Sequence, residues 1–100
     1  MKLWIDDVRP APEGWVHAKT AEEARKWIES GEMIQAISFD HDLGEGQENG
    51  HDLVSLVEER VYLGKMGLPE MAVHSANPVG ARRIFAAIEA INRWRSDRVG

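Results

Sequence analysis

Three short apolar runs in this chain end in residues that can do chemistry. Leu3-Trp4-Ile5 ends in Asp6-Asp7, Ile37-Ser38-Phe39 ends in Asp40-His41-Asp42, and Met71-Ala72-Val73 ends in His74-Ser75-Ala76-Asn77. A packed strand delivers its last side chains to one edge of its sheet, so three parallel neighbours would bring all three tips together. Carboxylates gathered this way, with little positive charge near them in sequence, cannot all stay ionised cheaply. Either one takes a proton or a divalent cation sits among them. Hard oxygen donors suit Mg²⁺, with Mn²⁺ as the usual substitute. A bound Mg²⁺ in turn wants phosphate oxygens, because it rarely fills its shell from protein alone.

The elements that must position these tips follow in order. Lys2–Ile5 reads as a strand buried on both faces. Pro10 and Pro12 exclude a helix between Val8 and Gly14. Trp15–Lys19 alternates apolar and polar residues and reads as an edge-like strand. Thr20-Ala21-Glu22-Glu23 fits a capping box, opening a helix with Ala21, Ala24, Trp27 and Ile28 on one face. Gly31 stops it. Met33–Phe39 reads as the central strand. Gly44–Gly50 is a polar loop with three glycines, expected to be mobile. His51 or Asp52 starts a helix carrying Leu53, Val54, Leu56, Val57 and Val61, and Gly64 ends it. Met71–His74 is the last strand. Asn77-Pro78 caps a final helix with Ile84, Phe85, Ile88 and Ile91 as its core stripe.

This alternation predicts an α/β fold: a small three-layer sandwich on a mostly parallel four-stranded sheet of order 2-1-3-4. Parallel strands usually need a long crossover, and only Val8–Gly14 joins the first two. At ~3.1 Å per residue in an extended polyproline-like return, that connection spans ~20 Å. A five-residue strand is only ~17 Å long, so a parallel pair is within reach. In such a sheet, ligands bind outside the carboxyl ends of the strands where strand order reverses. That point lies between the first and central strands, between Asp6-Asp7 and Asp40/Asp42.

One hundred residues make a single domain, 1–100, able to bury a core without staples. A net charge of −5 argues against bulk nucleic-acid binding and anionic membranes. The absence of cysteine excludes disulfides, thiolate metal sites and thiol nucleophiles. No apolar run approaches the ~20 residues that span a bilayer, and the amino-terminal run does not read as a signal peptide. A cytoplasmic location is the expectation. The sheet's far edge is expected to be open, covered by the last helix or by a second chain in a homodimer.

The tips resemble those of response-regulator receiver domains. Ile5-Asp6-Asp7 looks like their acidic pair, Asp40 like their phosphoacceptor, and Ser75 like the hydroxyl residue that closes their fourth strand. Asp42 stands where a backbone carbonyl joins the metal shell. The chain departs from receivers in replacing the first helix by a proline loop and in lacking the fifth strand with its Lys. Over nearly its whole length it more closely resembles a family of small receiver-derived domains proposed to process cyclic phosphates. The matching segments are Leu3–Pro10, Asp40–Gly44 and His74–Pro78.

That resemblance implies a reduced receiver-like, flavodoxin-like fold and a metal-dependent phosphoesterase acting on a cyclic phosphate. Asp6, Asp7, Asp40 and Asp42 are the implied surroundings of Mg²⁺ or Mn²⁺. Asp40, His41, His74 and Ser75 are the implied catalytic groups. His41 and His74 supply acid and base, and Asp40 either attacks phosphorus or holds metal while water attacks. Arg9, Ser75 and Asn77 are the implied substrate contacts. The partner is a small phosphate-containing ligand or an RNA end. The alternative is a degenerate receiver, acting as a phosphoacceptor or as a signalling or ligand-binding module without turnover.

Overall fold

The computed structural model describes residues 1–44, 46 and 48–99, with side chains through residue 95. Glu45 and Gln47 of the predicted Gly44–Gly50 loop lie outside the described residues. The elements are β1 (Lys2–Ile5), β2 (Val16–Ala18), α1 (Ala21–Glu29), β3 (Ala36–Phe39), α2 (Gly50–Tyr62), β4 (Glu70–Val73) and α3 (Pro78–Val99). The sheet runs β2-β1-β3-β4 with every pair parallel. The proline loop therefore returns the chain without a helix, as its reach predicts. Among the described residues, no helix is long and apolar enough to cross a membrane.

Local signals set the helix ends, with shifts from expectation. Thr20 Oγ1 accepts the Glu23 amide at 3.1 Å, but Glu23 reaches the Lys19 amide at 2.8 Å instead of closing the box on Thr20. The complete capping box opens α2 instead. Asn49 accepts from the Asp52 amide at 3.0 Å, and Asp52 accepts from the Asn49 amide at 2.9 Å. α2 thus begins at Gly50. The central strand is shorter than Met33–Phe39 because Met33 is exposed and pairing in β3 begins at Ala36.

The layer count is two, not three. α1 packs on α2, and α2 on α3, so all three helices form one layer. The cause is topological. The crossovers β2-α1-β3 and β3-α2-β4 move the same way along the sheet, and right-handed connections put both helices on one side. A helix between β1 and β2 would have covered the other side, and the proline loop stands there. β1 accordingly is buried on one face rather than two. Leu3, Ile5, Ala18, Ile37 and Phe39 face the helices and are buried. Lys2, Trp4, Ala36 and Ala72 face away and are half-buried or exposed. Trp4 sets its ring edge-on to Trp15 at 6.1 Å and partly screens that face.

The core lies between sheet and helices. Leu53, Val54 and Val57 of α2 join Ile84, Ile88 and Ile91 of α3 beneath the sheet. Each such side chain contributes roughly 1.5–3 kcal/mol. Phe85 leaves the predicted stripe: it is 54% exposed, because α3 turns it to the flank of the helix rather than to the sheet.

Candidate metal and phosphate site

Register places the tips. Ile5 pairs with Phe39 and Phe39 with Val73, so Asp6, Asp40 and His74 follow at one level on three adjacent strands. The backbone ladder runs one residue past each strand: Asp6 N–H donates to Ala18 O at 3.1 Å, Asp40 N–H to Ile5 O at 3.0 Å, and His74 N–H to Phe39 O at 2.9 Å. Strand alternation turns Leu3 and Ile5 to the helices. Trp4 and Asp6 therefore share the helix-free face with Ser38, Asp40 and His74.

Asp6 is 1% exposed. Its Oδ1 accepts the Val8 and Arg9 amides at 2.8 Å each, and its Oδ2 lies 3.1 Å from His74 Nε2. Burial pushes this carboxyl up, but the Arg9 and Val8 amides and His74 together hold it below the usual carboxylate value. Asp6 is therefore ionised. Asp40 is 9% exposed and shifts the other way. Burial raises it, the Ser75 hydroxyl hydrogen-bonded to it only partly offsets that, and the charge on Asp6 raises it further. One oxygen each from Asp6, Asp7 and Asp40 falls within a 4.8 Å group. An all-carboxylate cluster with one member held ionised and another resisting ionisation fits a hard divalent cation such as Mg²⁺ or Mn²⁺. A cleft of ≈ 340 Å³ opens on it, lined by Asp6, Asp7, Val8, Arg9, Asp40, Asp42 and Ala76.

His74 has both ring nitrogens engaged. Nε2 meets Asp6, and Nδ1 lies 2.6 Å from Ser38 Oγ. Burial lowers its pKa more than Asp6 raises it. The pair is thus a neutral imidazole donating from Nε2 to a carboxylate and accepting the Ser38 hydroxyl at Nδ1. Trp4 stacks on the ring at 3.7 Å and 9°. The Trp4 indole N–H donates to Arg9 O at 3.2 Å, and Arg9 Nη1 donates to His74 O at 2.8 Å. These contacts close a circuit that fixes the Asp6 carboxylate.

The other predicted residues form a second group beside the first. His41 Nδ1 lies 2.9 Å from Asp42 Oδ1, and Asn77 Nδ2 donates to Asp42 Oδ2 at 3.3 Å. The hydrogen bond from His41 lowers the Asp42 pKa. Asn77 Oδ1 caps α3 through the Val79 and Gly80 amides, and its own amide donates to Ser75 Oγ at 3.1 Å. The Asp42 carboxylate lines the cleft but stands outside the three-carboxylate group. His41 Nε2 is buried without a hydrogen-bond partner among the described residues. Its ring lies on α3 where a Cβ at position 80 would meet Nδ1 and Cδ2 at 2.6 Å, so only Gly80 admits it.

Sequence reasoning missed Trp4 and Ser38 as partners of His74, and His17, whose Nε2 lies 2.7 Å from Asp6 O. The signal was present: Trp4/Asp6 and Ser38/Asp40 each stand two apart on one strand, hence on one face.

This arrangement predicts a pH dependence in metal-free protein. Folding depresses His74 from 6.5, so the stability tied to its neutral form is present above 6.5 and is lost as pH falls below it. Asp6, depressed from 3.8, adds a loss of the same sign at lower pH. Asp40, raised from 3.8, opposes both once it takes a proton. Urea midpoints in EDTA should fall between about pH 7.5 and about 5.5. His74→Gln should flatten that slope; an unchanged slope in the variant would assign it to other groups.

Comparison with known proteins gives a family match. The family described as the cyclic-phosphate processing receiver domain covers residues 1–90. No curated protein and no solved structure matches the chain. With that match over most of its length, and a parallel 2-1-3-4 sheet carrying the acidic tips at its carboxyl edge, the chain belongs to the cyclic-phosphate processing receiver domain family.

Proposed function

We infer that this domain is a divalent-metal phosphoesterase that opens a cyclic phosphodiester, of the kind found at an RNA 2′,3′-cyclic end or in a cyclic nucleotide. The observation that carries the reading is the Asp6, Asp7 and Asp40 group with the Ser75 hydroxyl on Asp40. When bound, Mg²⁺ or Mn²⁺ would polarise phosphoryl oxygens and acidify a water.

The chain's own groups divide the remaining work. Asp6, Asp7 and Asp40 hold the ion, and His74 with Ser38 and Trp4 keeps Asp6 aimed. His74 is thus a positioning residue in this reading rather than a proton carrier. The Asn77 side chain is a donor for non-bridging phosphate oxygens, joined by the Ser75 hydroxyl once an ion in place of its proton takes up the Asp40 carboxylate, and Arg9 at the cleft wall balances the phosphate charge. Asp42, kept ionised by His41, is the acceptor for a proton from the attacking water. In the balanced reaction the water oxygen bonds to phosphorus, one ring P–O bond breaks, and a proton reaches the released alcohol oxygen.

A phosphorus NMR time course tests this with a 2′,3′-cyclic nucleotide and Mg²⁺. The cyclic resonance should decay with wild-type protein, stop decaying on adding EDTA, and persist with Asp7→Asn. Persistence under all three conditions would remove this substrate.

The phosphoacceptor reading is favoured by one observation, the position of Asp40 beside Ser75 at the end of β3. Acetyl phosphate would then add about 80 Da, a phosphoryl group, to intact protein but not to Asp40→Asn.

A further inference from the structure

β4 has a strand neighbour on one side only: β3 pairs with it, and no described strand pairs with its other edge. The amides of Glu70 and His74 donate to Gln35 O and Phe39 O of the β3 side. By strand alternation, Met71 and Val73 direct their amide and carbonyl groups outward, an open ladder for another strand. Above this edge lies α3. Its inner stripe of Ile84, Ile88 and Ile91 is buried. Trp94 packs toward α2, its ring 5.8 Å from Tyr62. Phe85 is about two and a half turns from Trp94, so it projects from the opposite flank, the one beyond β4. It is 54% exposed there. Arg82 and Glu89, both exposed, lie one turn before and one turn after Phe85 on the same flank.

We propose that the β4 edge and the Phe85 flank of α3 form a two-fold interface with a second copy of this chain. Charge complementarity selects that occupant. Across a two-fold axis normal to the sheet, β4 meets its copy antiparallel, with Met71 opposite Val73, and both α3 helices lie on the same side, also antiparallel. Phe85 then meets Phe85 near the axis. Each Arg82 faces the Glu89 of the other copy, twice over, because the interface is isologous. The pairing extends the sheet to eight strands, buries Phe85, and leaves both carboxylate tips open.

Sedimentation velocity on the full chain from about 1 µM to about 1 mM reads the outcome. Wild-type protein should show a monomer–dimer equilibrium. Phe85→Asp, Arg82→Glu and Glu89→Arg should each weaken it by about tenfold or more. The double variant carrying both charge reversals should recover the wild-type constant to within about threefold, since the reversed pair is again complementary. All three positions are exposed, and circular dichroism should show the wild-type fold in each variant. In the dimer, amide exchange at Met71 and Val73 should slow as concentration rises. A monomer throughout the range overturns the proposal and leaves the edge to a different partner. A dimer indifferent to the Phe85 substitution, or a double variant weaker than either single, overturns it equally.

Discussion

Asp40→Asn should move two observables in opposite directions. In EDTA near pH 7.5 the variant should melt several degrees above wild type, and Mg²⁺ should no longer raise that midpoint. The first effect follows from the electrostatics of the empty cluster. Asp40 is 9% exposed, beside an Asp6 held ionised by two amides, and its carboxyl is shifted upward by burial and by that charge. A group whose pKa is raised on folding stabilises the fold fully only below its unfolded value, 3.8, and the benefit is lost as it ionises at higher pH. The neutral amide escapes that loss. Its advantage should therefore be greatest at neutral pH and vanish toward pH 3.8. The second effect follows from the ligand count, since one of three carboxylates is gone. Turnover of a cyclic phosphate should fall by at least ~100-fold, about 2.7 kcal/mol of barrier. A variant less stable than wild type in EDTA, or one still stabilised by Mg²⁺, would falsify this account of Asp40.

Gly50→Ala should be the most damaging small substitution in the molecule. A Cβ at position 50 would collide with the Asp40 carbonyl oxygen and come within 2.8 Å of Ile84 Cδ1. The Gly50 amide also donates to His41 O at 2.9 Å. The first turn of α2 thus rests directly on the backbone that carries Asp40 and His41, and neither side can yield without moving the tip. Overpacking of this kind costs about 3 kcal/mol, or about 15 °C of Tm in a domain of this size. Gly80→Ala is the instructive comparison. Its Cβ meets the His41 ring, a side chain that can swing away, so the loss of stability should be smaller while the His41–Asp42 contact is broken. Thermal melts of the two variants would check this ranking. Equal losses would mean that His41 is as immovable as the backbone.

The parallel sheet, its 2-1-3-4 order and the meeting of Asp6, Asp7 and Asp40 were legible from apolar runs ending in acids, because strand tips follow from connectivity alone. The layer count was not. It depends on which side each crossover takes, and a proline loop in place of a helix leaves a face bare without leaving a signature in periodicity. Phe85 went astray because it adjoins Ile84 in the sequence, yet one residue turns an α-helix by more than a quarter of a circle. The partners of His74 needed three dimensions. Ser38, Asp6 and Trp4, distant in the chain, fill its ring nitrogens and one ring face. The resemblance to receivers sets Asp42 near the ion through a backbone carbonyl; that its carboxylate meets His41 and Asn77 was not legible in the sequence.

β1 is first in the chain and internal in the sheet, flanked by β2 and by β3. As the polypeptide emerges, β1 can pair early with β2 across the short proline loop. Its other side must wait until residues 36–39 arrive and the intervening segment closes into a loop, a slow and entropically costly event. Asp6 and Asp40 face each other only across that seam between β1 and β3. A chain in which that seam is unmade therefore lacks the carboxylate cluster, and a cation binding only the finished seam would draw the folding equilibrium toward completion. At a concentration about 100 times its dissociation constant, it adds about 2.7 kcal/mol. On the reading that Asp6, Asp7 and Asp40 hold a cation, its binding would report closure of the seam between β1 and β3.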